Sequence, residues 1–167
     1  MSDLLVRPAR EDDIALMVRW AEAMAYETEH KRLDTVCVTR GISAGVADPS
    51  RARYFIAERA GEPVGTLMLT TEWSDWRDGW WWWIQSVFVP REARRGGVYR
   101  ALYAHVLALA SAQDDVRGLR LYVERENVNA QRTYEFLGMS DAGYRMYEKA
   151  LWPDGGGAGP PESAAEL

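Results

Sequence analysis

At 167 residues the chain has room for one continuous core and not for a second full domain. Its 47% hydrophobic and 27% charged residues describe an ordinary soluble globular protein, and a net charge of −5 argues against a nucleic-acid partner, because phosphate binding needs a surplus of Lys and Arg on one face. The lone Cys37 excludes an internal disulfide and a multi-cysteine metal site, and His30 and His105 are too few and too scattered for a histidine-based zinc site, so no metal is expected.

Met1 to Arg10 carry charges and lack a run of about seven apolar residues, and no stretch approaches the ~20 apolar residues that span a bilayer. A cytosolic chain without a secretory signal or a membrane partner is expected. Leu4 to Val6 reads as a short strand. Pro8 followed by Glu11, Asp12 and Asp13 marks a helix start with acids at the positive end of the dipole. Ile14, Met17, Val18, Ala21, Met24 and Ala25 recur at helical spacing, which carries this helix to about Glu27. A second helix is expected between Val36 and Ala47, weakened by Gly41 and Gly45 at roughly 1 kcal/mol each relative to Ala.

From Arg53 the period changes to that of strands. Tyr54 to Glu58, a turn at Ala60-Gly61-Glu62-Pro63, and Val64 to Thr71 predict a β-hairpin. After a turn over Ser74 to Gly79, Trp80 to Val89 is a long strand, apolar on both faces as at the centre of a sheet. Pro90 to Gly97 forms a loop, and Val98, Leu102, Val106 and Leu109 pattern a helix. Leu119 to Glu124 reads as a buried strand, Asn127 to Leu137 as a helix closed by Gly138, and Gly143 to Leu151 as a final strand. Pro153 to Leu167, rich in Gly, Pro, Ser, Ala and Glu, reads as a disordered tail behind a single domain over 1–152. The expected fold is α/β (α+β), a mixed sheet covered by helices, with a ligand crevice where the strand before the glycine loop ends.

That loop, Arg94-Arg95-Gly96-Gly97-Val98, lies between a strand and a helix N-terminus. Successive backbone N–H groups there make an anion cradle that fits a pyrophosphate, although the same spacing also describes a plain turn. It is neither a Walker A motif nor the dinucleotide pattern of three spaced glycines.

Val87-Phe88-Val89-Pro90 followed by Arg94-Arg95-Gly96-Gly97-Val98 resembles the acetyl-CoA signature of the GNAT N-acetyltransferases, with Tyr99 where that family usually has Gly or Ala. Asn127 to Met139 resembles the family's second element, Asn-x-x-Ala-x-x-x-Tyr-x-x-x-Gly-Phe, with Met139 in place of Phe. Val6-Arg7-Pro8-Ala9 with Asp13 is similar to its opening strand and helix. The resemblance implies a mostly antiparallel sheet of about six to seven strands flanked by about four helices. It implies acetyl-CoA as co-substrate, held by the main chain of Val87, Phe88 and Val89 and by the loop from Arg94 and Arg95 through Gly96, Gly97, Val98 and Tyr99. An N–H of Phe88 or Val89 would polarise the thioester carbonyl. Tyr134 would donate a proton to the leaving thiolate, and Asn127 or Asn129 would bind the cofactor or cap the helix.

Many relatives place a carboxylate where this chain has Gln85, an amide that cannot act as a base. Glu72, Asp75 and Asp78 are the alternatives, with solvated surface as the plainer reading of each. Glu27 and Glu29 are placed to attract a cationic acceptor. Strand alternation puts Trp81 and Trp83 on the face of Gln85, and Trp80 and Trp82 on the other with Ile84. The resemblance implies that the Gln85 face lines the acceptor cleft, which Trp83, with Trp81 as a further candidate, would then wall, unless the tryptophans fill core or a homodimer interface. The expected activity is direct transfer of an acetyl group to a primary amine of a small molecule in a ternary complex. The alternatives are a protein lysine or N-terminal amine as acceptor, an acyl-CoA-binding module that has lost turnover, or a protein whose tryptophan face mediates assembly.

Overall fold

The computed structural model describes residues 4–149 and 151, so the tail expected from Pro153 lies outside the described residues. The chain divides into two compact units, which among the described residues cover 4–120 and 121–149 with 151.

In the first unit β1 (Leu4–Pro8) pairs antiparallel with β2 (Arg53–Arg59). Arg7 on β1 is clamped between two carboxylates, Asp13 at 2.7 Å and Glu58 at 2.7 Å. Asp13 ends a short 3-10 turn and also accepts from the Arg10 amide, so one carboxylate both starts the helix and ties it to the sheet. Helix α1 (Ile14–Glu29) follows, with Met17, Val18 and Trp20 buried, and stops at His30 in the left-handed region with φ 53°. Helix α2 (Thr35–Ala47) is capped by Asp34, whose carboxylate accepts from Val36 and Cys37. Gly45, a weakness by helix propensity, has a packing reason: a Cβ there would lie 2.8 Å from the Tyr54 ring.

Strand β2 turns through Ala60 (φ 52°) and Gly61 (φ 82°) into β3 (Glu62–Ser74). After a 3-10 turn, β4 (Gly79–Phe88) runs back antiparallel to β3. Helix α3 (Val98–Ser111) then carries the chain to β5 (Val116–Arg120), which joins β4 in parallel as a crossover connection requires. The sheet order is β1-β2-β3-β4-β5. Two apolar layers form on it. Phe88 and Ile56 meet Met17, Val18, Trp20 and Ile42 of the α1–α2 pair. On the opposite face Phe55 packs edge-on against His105 of α3, with Leu67, Leu69, Leu102 and Val106 all within 1% of full burial.

The second unit contains α4 (Val128–Phe136), closed by Gly138 at φ 87°. Three expectations are corrected. The sheet has five strands among the described residues, not six to seven. The strand read at Leu119 to Glu124 ends at Arg120 and begins earlier, at Val116, with no regular structure over 121–124. The final strand read from Gly143 is absent over 143–149. Tyr144 and Tyr147 there are 85% and 86% exposed, and alternation alone makes no strand where, among the described residues, no strand pairs with it.

Candidate functional site

Strand β4 is irregular where it matters. Thr66 pairs with Phe88 but Met68 pairs with Gln85, so β4 carries one extra residue in a β-bulge. Ser86 within it is left-handed at φ 46°, a conformation that costs a non-glycine residue roughly 1–2 kcal/mol. Pairing with β5 runs from Trp80–Val116 to Trp83–Arg120 and stops. The β5-facing edge of Ile84 to Phe88 therefore has no strand partner among the described residues. Val87, Phe88 and Val89 lie on or just after this stretch, and the Val89 carbonyl accepts from Arg94 Nε at 2.9 Å.

The loop continues through a 3-10 turn at Arg91 to Ala93. Arg95 (φ 62°) and Gly97 (φ 77°) are both left-handed, and Gly97 stands at the N-cap of α3, where it has no side chain to satisfy the first-turn amides. Val98 is buried to 2% and seats the helix against β3: a Cβ at Gly65 would lie 2.6 Å from Val98 Cγ1. The Tyr99 ring lies beside Tyr103, one turn along α3, with centroids 6.3 Å apart. The loop is thus an uncapped helix N-terminus at the end of an open strand edge, ringed by arginines.

Two of those arginines have protein partners. Glu27, at the end of α1, accepts from Arg94 Nη2 at 2.6 Å and Arg91 Nε at 3.1 Å. Arg94 first, then Arg91, hold the Glu27 carboxyl below its usual range. Sequence reading missed a third arginine. Arg59, at the end of β2, donates to the Gly96 carbonyl at 2.8 Å; nothing local in the sequence marks a contact of 37 residues' separation.

Beside the bulge, Gln85 donates to the Thr70 hydroxyl. Glu72 accepts from the Trp83 indole at 2.6 Å and from Arg120 at 2.9 Å, so each carboxylate oxygen has a donor. The Arg120 guanidinium lies 4.0 Å from the Trp81 ring centroid, a cation–π contact. That ring in turn lies on Gly118, where a Cβ would come within 2.6 Å. Trp82 and Ile84, on the other face, are 5% and 4% exposed. Asp75 accepts from the Trp76 amide, and the Asp78 carbonyl accepts from Arg117.

In the second unit Asn127 is the helix cap, its Oδ1 accepting from the Ala130 amide at 3.1 Å. The Asn129 carbonyl accepts from Thr133 within α4. Tyr134 lies on that helix half-buried, and burial raises its phenol above the ordinary range.

Residues 14–139 match the family model described as acetyltransferase (GNAT) family. The "possible acetyltransferase" from Clostridium difficile 630 is similar at 38% identity, with 89% of this chain and 97% of that one covered and a TM-score of 0.83. The chain belongs to the GNAT acetyltransferase family. A predicted acetyltransferase from Clostridium acetobutylicum, solved with acetyl-CoA, shares the fold at 15% identity, 87% and 96% coverage and a TM-score of 0.71. So does a transcriptional regulator from Bacillus halodurans C-125, at 21% identity, 89% and 99% coverage and a TM-score of 0.75. No curated protein matches the chain. Among the described residues no helix is long and apolar enough to cross a membrane.

Proposed function

We propose that the protein transfers an acetyl group from acetyl-CoA to a primary amine of a small molecule by direct attack in a ternary complex. The observation that carries this is the open, bulged edge of β4 running into the left-handed loop at the α3 N-terminus. The residues fit the co-substrate. Gly97 would admit a phosphate, since even a Cβ there would meet nothing within 4 Å, and the first-turn amides of Val98 and Tyr99, for which the N-cap Gly97 offers no side chain, would supply donors with the helix dipole behind them. Arg95 adds positive charge. The co-substrate contributes an activated acetyl thioester.

The N–H of Phe88 or Val89 is the donor for the carbonyl oxygen as charge develops on it. Tyr134 is assigned the proton for the leaving sulfur; a phenol is protonated at neutral pH, and burial moves this one further from ionisation. Glu72 is assigned the amine's proton, being an exposed carboxylate beside Trp83 on the face of Gln85. Trp83 and the Gln85–Thr70 pair would orient the acceptor.

Gln85, hydrogen-bonded to Thr70 and unable to take a proton, favours one second reading: a module that binds acyl-CoA without turnover. Calorimetry with acetyl-CoA and thiol release over a panel of primary amines decides between them. Binding with release on a small amine supports the transferase, and binding with no release on any amine supports the module. No affinity for coenzyme A or its acyl derivatives overturns both.

A further inference from the structure

We propose that Arg59 is a positioning residue for the anion-binding loop, acting through the Gly96 carbonyl to aim the amide of Gly97. This rests on the reading of the loop as the diphosphate site.

Arg59 is held from both sides. It is the last residue of β2, in register with Leu4 of β1 and, across the Ala60–Gly61 turn, with Glu62 of β3. From this anchored base the guanidinium reaches Gly96, with Nη2 2.8 Å from the carbonyl oxygen. It also lies against the Gly96 α-carbon, where a Cβ would come 2.6 Å from Nη2 and 3.2 Å from Nη1. Glycine at 96 is what lets the planar head approach.

A trans peptide ties the direction of a carbonyl to that of the next N–H, which points the opposite way. No cis peptide occurs among the described residues, so fixing the Gly96 oxygen towards Arg59 turns the Gly97 N–H away from it. The following plane is fixed too: the Gly97 carbonyl accepts from the Ala101 amide at 2.9 Å, which turns the Val98 N–H out of the helix start. Two consecutive donors are thus aimed before any anion arrives, one by the helix and one by Arg59. Without Arg59, the plane between Gly96 and the left-handed Gly97 has no such restraint from the sheet.

The test reads the loop with and without ligand. In ligand-free protein the order parameter of the 15N-labelled Gly97 amide should fall from the rigid range near ~0.85 to below ~0.6 in Arg59→Ala. The same variant should raise the acetyl-CoA KM about 10-fold and leave kcat within about 2-fold, as loss of uniform binding predicts. Arg59→Lys, which keeps a charge but lacks the planar fork, should fall between the two. Gly96→Ala should evict the guanidinium and loosen Gly97 equally, and the double variant should be no worse than either. A Gly97 amide as rigid in Arg59→Ala as in the parent overturns the proposal, whatever happens to KM. Should Arg59→Ala fail to fold, an unchanged order parameter in both Arg59→Lys and Gly96→Ala overturns it. Failure of the parent to bind coenzyme A would sink the functional reading but leave the order-parameter result to decide the positioning role.

Discussion

Arg94 and Glu27, 67 residues apart in sequence, meet at 2.6 Å and so tie the end of α1 to the loop before α3. Arg94 is 42% exposed, so the pair is partly screened and contributes modestly. Glu27→Gln should lower stability by less than about 1 kcal/mol in urea melts, with the difference shrinking as salt rises. A rise in the amine KM without any change in stability would instead assign Glu27 to the acceptor.

Asp13 is the better-buried carboxylate, and hydrogen bonds from Arg7 chiefly hold its pKa below the ordinary value. A depressed folded-state pKa stabilises above the unfolded value, and that contribution disappears as pH falls through the folded one. Stability should therefore drop on acidification below the usual aspartate range. Asp13→Asn should cost about 2–4 kcal/mol at neutral pH by leaving Arg7 short of a partner, and its own melts should lose most of that acid sensitivity.

Glu72→Gln tests the proton acceptor proposed above. The expected result is a loss of roughly 100-fold in kcat/KM at neutral pH, while Asp75→Asn and Asp78→Asn stay within about 3-fold. Equal activity in all three would remove Glu72 from the chemistry.

Tyr134→Phe should lower kcat about 10-fold with acetyl-CoA affinity nearly unchanged. Because burial raises the phenol pKa, any loss of rate from Tyr134 ionisation should come only above the ordinary tyrosine range. A pH–rate profile comparing the two proteins checks both statements.

Gly118→Ala should force the Trp81 ring off β5 and break its contact with Arg120, costing about 1–3 kcal/mol as overpacking does. Tryptophan fluorescence and thermal melts would detect it.

The local elements were legible because they are written locally. The spacing from Ile14 to Ala25 and the hairpin turn at Ala60–Gly61 both became the elements expected. The loop was legible for the same reason, since its glycines sit at a strand-to-helix junction. The bulge was not: Ser86 takes a left-handed backbone without glycine to announce it, and the cause lies in how β3 and β4 register. Arg59–Gly96 and Glu27–Arg94 were equally hidden, being side-chain contacts across the fold between residues of common type. The strand expected from Gly143 shows the converse, an alternating pattern that forms no strand over the described residues 143–149.

Strands β2, β3 and β4 are neighbours both along the chain and across the sheet. Such hairpins zip within ~1–10 μs, whereas β5 reaches β4 only through the crossover over α3, and β1 closes on β2 across a still longer stretch, Leu4 pairing with Arg59. The place where β4 parts from its neighbour therefore comes into being only when β5 docks. Recognition of an acyl donor should lag behind formation of the meander during refolding, which makes ligand capture a stopwatch for the arrival of β5.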